Sequence, residues 1–173
     1  CIVGFTLSIF AILYLKTTLD AETAFRTSLF QVISIQTSTG FATNDYMTWP
    51  TMAWGMMPIL MLIGACAGST SGGMKCIRIV ILVRVMKNEF KRLLHPNAVL
   101  PIRINKQVIA PTLQSTVLAF TFLILLICFA CILILMGLEI PLTESIGVVI
   151  SSIGNTGPGL GAFGPAFSWN ALP

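Results

Sequence analysis

The chain has 173 residues, 55% of them hydrophobic and only 9% charged, with a mean hydropathy of +0.91. Soluble domains carry about a quarter charged residues, so this composition argues against a water-soluble fold, and the length is better counted in membrane spans of roughly 20 residues each. The net charge of +4 arises from 10 Lys and Arg against 6 acids; on a membrane chain such an excess reports orientation rather than a nucleic-acid partner.

Residues 1–15, CIVGFTLSIFAILYL, are apolar apart from two hydroxyls and read as the end of a transmembrane helix closed by Lys16. The start at Cys1, without Met, and the Gly/Pro-rich end at Pro173 read as a segment of a longer polypeptide. After Asp20 and Glu22, the stretch from Ala24 to Gln36 is apolar yet too short to span. As a helix it reaches about 20 Å into a core of roughly 30 Å. It runs directly into Thr37-Ser38-Thr39-Gly40-Phe41-Ala42-Thr43, which predicts a re-entrant segment that enters and leaves by one face. Arg26, near the start of this helix, is placed to pair with Glu22 or to reach headgroups.

Trp49 and Trp54 around Pro50 suit the headgroup level at the start of a descending helix. That helix meets Gly64, Ala65, Cys66, Ala67, Gly68, Ser69, Thr70, Ser71, Gly72 and Gly73, which break it before it has crossed. Irregular backbone at membrane depth is tolerated only where it is buried in protein or lines water, so this loop is expected to line a cavity. Helical character returns from Met74 to Leu94 with Lys75, Arg78, Arg84, Lys87, Lys91 and Arg92. Eight of the ten basic residues fall between positions 75 and 106, and five of the six acids lie outside it. The positive-inside rule places this segment in the cytoplasm. Lys75 is a candidate for an electrostatic role in the pathway, with snorkelling to the cytoplasmic boundary as the simpler account. His95 reads as an ordinary loop residue.

Residues 113–138 form the clearest span, 26 residues without a charge. Cys128 and Cys131 lie within it and read as packing residues rather than a metal or redox pair. Glu139 and the stretch IPLTESIGVVISSIGNTGPGLG then repeat the earlier order of acids, short apolar helix and glycines. A shift of 114 residues lays Ser38-Thr39-Gly40 on Ser152-Ile153-Gly154. The expected fold is therefore an all-α membrane protein of repeated helix, re-entrant loop, helix units: one over 1–106 with its basic cytoplasmic loop, and one over 107–173 lacking its last helix.

A short helix aimed inward from outside turns the negative end of its dipole toward the bilayer centre and favours a cation there. Backbone carbonyls after it can replace an ion's hydration shell without formal charge. Two such loops cannot close a ring, so further pore loops belong to sequence outside this chain.

Several segments in order, TSTGFATNDY (37–46), GACAGSTSGGMK (64–75), HPNAV (95–99), PIR (101–103) and SSIGNTGPGLG (151–161), resemble the Trk/Ktr/HKT potassium transporters, and among them the bacterial Trk membrane subunit. The resemblance implies the third and fourth of four pore units in a multi-pass protein of the bacterial inner membrane. It implies a selectivity filter that includes Thr39, Gly40 and Phe41 with Ile153, Gly154 and Asn155. Ser38 and Ser152 stand at its inner end, and K+ is held at Thr39, Gly40, Ile153 and Gly154. Residues Gly64 to Gly73 become an intramembrane gating loop. The implied partners are a second copy in a homodimer, a cytosolic nucleotide-binding ring subunit and membrane lipids.

The expected activity is K+ uptake through a channel-like pore, with no enzymatic chemistry and no bound cofactor beyond the transported ion. Filters reading STGF and SIGN rather than TVGYG predict fewer well-formed carbonyl sites and weaker rejection of sodium. An ion-coupled carrier with a broken-helix site is the main alternative, and it calls for acids inside the spans. A membrane anchor for an enzyme complex calls for intramembrane His ligands and leaves both re-entrant loops without a purpose.

Overall fold

The computed structural model describes residues 2–94, 102–104 and 107–171. Cys1, the HPNAV segment with His95, and Lys106 lie outside the described residues. The chain is mostly helical. Its elements are α1 (Ile2–Lys16), α2 (Ala21–Gln36), α3 (Thr51–Gly55), α4 (Met57–Ile63), α5 (Cys76–Leu94), α6 (Pro111–Gly137) and α7 (Leu142–Gly154). A small antiparallel ladder, β1 (Arg103–Ile104) with β2 (Gln107–Val108), precedes α6 and was not foreseen from the pattern of charges.

Local chemistry sets the boundaries. Pro111 opens α6, where a missing N–H costs nothing because the first turn has no acceptor for it. Pro58 does the same for α4, and the same missing donor separates α4 from α3 at Met56. Asp45 Oδ1 accepts from the Met47 N–H at 2.9 Å and starts the short turn of 3-10 helix at Tyr46–Thr48.

Helix α1 packs on α2, and α4 lies against both α2 and α7. Helix α6 covers α7 on one side and meets α5 on the other. The core joins Ile9 and Leu13 of α1, Val32 and Ile35 of α2, Tyr46 and Ala53, Met57, Leu60 and Met61 around α4, and Leu160. Helix α4 thus lies between the first short helix and the second. At the edge of α5, the Arg78 guanidinium stands 3.9 Å from the centre of the Phe120 ring on α6.

Among the described residues, α6 is the one helix long and apolar enough by itself to cross a membrane, over Thr112–Gly137. Its large side chains, Phe122, Leu123, Phe129 and Ile134 among them, point outward. Outward apolar side chains on a long helix suit a lipid solvent, where backbone groups are satisfied within the helix.

Candidate functional site

The two short helices α2 and α7 end side by side, and each is followed by a turn with the same backbone course. After α2, Ser38 has φ +58 and Gly40 φ +77. After α7, Asn155 has φ +52 and Gly157 φ +103. The hydrogen bonds match as well: Thr39 N–H donates to Ser34 O at 2.9 Å, and Thr156 N–H to Ser151 O at 3.0 Å. Ser38-Thr39-Gly40 thus correspond to Asn155-Thr156-Gly157, an offset of 117 residues rather than the expected 114.

That register departs from the expected alignment of the second segment. Ser152, Ile153 and Gly154, expected in the loop, lie in the last turns of α7. Their carbonyls are also engaged: Ile153 O accepts from the Gly73 N–H at 3.1 Å, and Gly154 O from the Ser38 hydroxyl at 3.0 Å. Of the four expected residues only Asn155 belongs to the turn, as its left-handed first residue. The repeated Thr-Gly pair, Thr39-Gly40 and Thr156-Gly157, was the signal that would have set this register.

Between the two turns lies a cavity of about 350 Å³ whose lining includes Thr39, Gly40, Phe41, Thr156, Gly157 and Pro158. Gly40 is required here on two counts. Its φ is left-handed, and a Cβ on it would stand 2.2 Å from Thr156 O. Phe41 O accepts from the Ser34 hydroxyl, and the Phe41 ring is 72% exposed. The lining also includes Gly164, Pro165, Phe167 and Trp169 and carries no formal charge. The described residues contain no group of three or more His, Cys, Asp or Glu placed to hold a metal ion.

On the other side of the helix ends, residues 64–75 form a closed loop. Its neck is tied where Met74 N–H donates to Leu62 O at 2.9 Å and Cys76 N–H to Ala65 O at 3.1 Å. Such a loop, with its ends together, holds its shape through its own contacts. Inside it Ser71 Oγ accepts from the Ala65 N–H, and Ser69 Oγ from the Ser71 N–H. Two anchors fix it to the helix ends: the Gly73 bond to Ile153 O, and Gln36 Nε2 donating to Gly64 O at 3.0 Å. Gly72 packs so closely that a Cβ would stand 2.5 Å from Ile153 O. Cys66, Ala67, Gly68 and Thr70 form its exposed rim.

Lys75 does not extend away from the loop. Its backbone is left-handed at φ +68, and its ammonium turns back to donate to Ser69 O at 2.7 Å, to Ser71 O, and at 3.4 Å to Ser71 Oγ. Arg26 does not pair with Glu22; among the described residues the one ion pair joins Arg92 to Glu89, and Arg26 lines a cavity with Thr23, Thr27, Thr43 and Asn44. Gln36 and Tyr46 also hold this region together. The Tyr46 hydroxyl donates to Gly159 O and so ties the loop after α2 to the loop after α7.

The sequence matches the family of cation transport proteins designated TrkH over residues 6–171. The chain belongs to the TrkH family. Among curated relatives, it is 37% identical over 142 residues to the Trk system potassium uptake protein TrkH of Vibrio parahaemolyticus, covering 80% of this chain and 28% of the relative. It is 34% identical over 145 residues to TrkI of Halomonas elongata, covering 83% and 30%, and 34% identical over 148 residues to TrkG of Escherichia coli, covering 86% and 30%. The crystal structure of the potassium transporter TrkH from Vibrio parahaemolyticus superposes with a TM-score of 0.90 at 32% identity, over 99% of this chain and 36% of that one. This TrkH-family chain thus spans about a third or less of the length of the relatives it matches.

Proposed function

We propose that this TrkH-family chain supplies part of a pore through which K+ enters a bacterial cell across the inner membrane, driven by the membrane potential. The observation that carries the reading is the apposition of Gly40 and Thr156: two turns of one backbone course, each at the C-terminal end of a short helix, meet beside an uncharged cavity. The ends of α2 and α7 turn partial negative charge toward that cavity, and the turns add dipoles that replace water around an ion. Thr39, Gly40 and Phe41 with Thr156, Gly157 and Pro158 are the filter residues in this reading, and K+ is the cargo.

The tied loop 64–75 lies beneath these turns and serves as the gate. In this reading residues 1–106 and 107–173 are two pore units, and the rest of the ring comes from the part of the protein outside this chain. Helix α5 leads directly from the loop and carries Arg84, Lys87, Lys91 and Arg92, so a cytosolic ring subunit acting on α5 has a mechanical path to the gate. A second copy of the protein and surrounding lipid complete the assembly.

The test is rubidium-86 uptake into vesicles holding the full-length protein, with K+ or Na+ as competitor. Gly40→Ser and Gly157→Ser are expected to erode the preference for K+, whereas a Ser152→Ala protein retains it. Unchanged uptake and competition in both glycine variants would overturn the filter assignment.

A further inference from the structure

Three oxygens in the loop, Ser69 O, Ser71 O and Ser71 Oγ, converge on the Lys75 ammonium. A lysine ammonium carries three N–H donors and no acceptor, so this cradle matches its full donor capacity. No carboxylate takes part: the one ion pair among the described residues is Arg92 with Glu89. The charge is held by neutral oxygens alone. That is also how a dehydrated K+ is held, and an ammonium group resembles K+ in charge and approximate size.

The arrangement is maintained against opposition. Lys75 adopts the left-handed region at φ +68, which L side chains with a long stem rarely occupy, so the side chain can double back onto the loop. Helix α5 begins at the next residue, and the positive end of its dipole repels the ammonium it adjoins. Ser71 is 7% exposed and its hydroxyl also accepts from the Ala65 N–H, so the cradle is a built part of the loop and not a chance surface contact.

We propose that Ser69 O, Ser71 O and Ser71 Oγ form a monovalent-cation site in the loop, and that Lys75 is a tethered cation that occupies it and latches the loop shut. A K+ ion reaching the loop competes with the ammonium for the same oxygens. Once displaced, the ammonium swings out, its backbone strain is relieved, and the neck between residues 64 and 76 loosens. The loop is then a sensor of the ion it obstructs. This inference rests on the conduction reading above and adds a ligand and a releasing signal to the gate.

The experiment uses the full-length protein in vesicles with two readouts. The first is rubidium-86 uptake by wild type, Lys75→Met and Lys75→Arg across a range of KCl, with choline holding ionic strength constant. Wild-type uptake is expected to rise more steeply than a simple saturation curve at low K+. Lys75→Met is expected to show simple saturation and a low-K+ flux raised about tenfold or more, the ratio that follows from losing even one of its charged hydrogen bonds. Lys75→Arg, which keeps the charge but replaces the compact ammonium with a planar guanidinium, is expected to fall between the two. The second readout is maleimide labelling of Cys66 on the exposed rim, quantified by peptide mass. In wild type its rate is expected to rise severalfold in KCl over choline chloride.

Equal labelling in the two salts overturns the latch, whether or not Lys75→Met folds. Unchanged flux in a well-folded Lys75→Met protein, with K+ still preferred over Na+, also overturns it and leaves the conduction reading standing. Absence of rubidium uptake in wild type and variant alike overturns both.

Discussion

The Ser38 hydroxyl donates to the Gly154 carbonyl across 3.0 Å and joins residues 116 positions apart. It binds the turn after α2 to the end of α7, next to the cavity that both turns line. Ser38 also occupies a left-handed backbone at φ +58, where a serine is strained and a glycine is not. Ser38→Ala keeps the strain and loses the bond, so the protein is expected to lose about 1 kcal/mol of stability. Ser38→Gly loses the bond but relieves the strain and should fall closer to wild type. Thermal unfolding in detergent orders the three proteins; equal midpoints for Ser38→Ala and wild type would remove the bond from the account.

Glycines 68 and 72 share a loop but have different surroundings. A Cβ on Gly72 meets Ile153 O at 2.5 Å and Gly154 C at 2.7 Å, whereas a Cβ on Gly68 meets nothing within 4 Å. Gly72→Ala is therefore expected to push the loop off the end of α7, costing about 1–3 kcal/mol as overpacking does. Gly68→Ala should lie within about 0.5 kcal/mol of wild type, as surface changes do. In the gate reading, Gly72→Ala also raises basal rubidium flux, and paired flux and unfolding measurements on the two variants check both expectations.

The boundaries of the helices were legible because hydropathy and charge vary sharply at Lys16, Gly64 and Glu139. The interruption at Gly64 to Gly73 was legible for a similar reason: glycine and hydroxyl residues interrupt an apolar run. The register between the two turns was not. Ser-Thr-Gly against Ser-Ile-Gly is the better match by letter, but the turn is defined by left-handed backbone at Ser38 and Asn155, and Ser152 still lies within α7, so the letters alone do not report where the second helix ends. The inward fold of Lys75 was equally hidden, because a basic residue at the start of a basic helix reads as solvated until the positions of the loop carbonyls are known.

Gln36 is 3% exposed at the end of α2, and its amide nitrogen supplies Gly64 O with a donor at 3.0 Å. Gln36→Leu fills the same space and removes the donor. Gly64 O then keeps only the weak Cys76 thiol donor at 3.4 Å, so the variant is expected to lose about 1 kcal/mol of stability, the net worth of one hydrogen bond. Because Gly64 is the hinge between α4 and the loop, hydrogen exchange at residues 64–66 should rise in Gln36→Leu while exchange in α6 stays unchanged. Uniform acceleration throughout the chain would assign Gln36 a general packing role instead.

Tyr46 provides a prediction whose sign depends on pH. The residue is fully buried in the segment between α2 and α3, at the start of the short 3-10 turn, and its hydroxyl donates to Gly159 O. Burial pushes the phenol well above its ordinary value of 10.0, and the neighbouring Asp45 carboxylate pushes it further the same way. Below pH 10 the folded and unfolded chains both keep the proton, and the hydrogen bond contributes its full stabilisation. Above pH 10 the unfolded chain releases the proton while the folded chain retains it, so the unfolded state binds fewer protons and stability falls as pH rises. Tyr46→Phe lacks both the bond and this titration. At pH 8 it should be less stable than wild type by about 1–3 kcal/mol, because Gly159 O loses its donor. Between pH 10 and 11.5 the gap should narrow steadily, since only the wild type pays for retaining the proton. Unfolding midpoints of the two proteins across that range, with Tyr14 common to both, decide the matter; a constant gap would mean that the phenol ionises alike in the folded and unfolded chains.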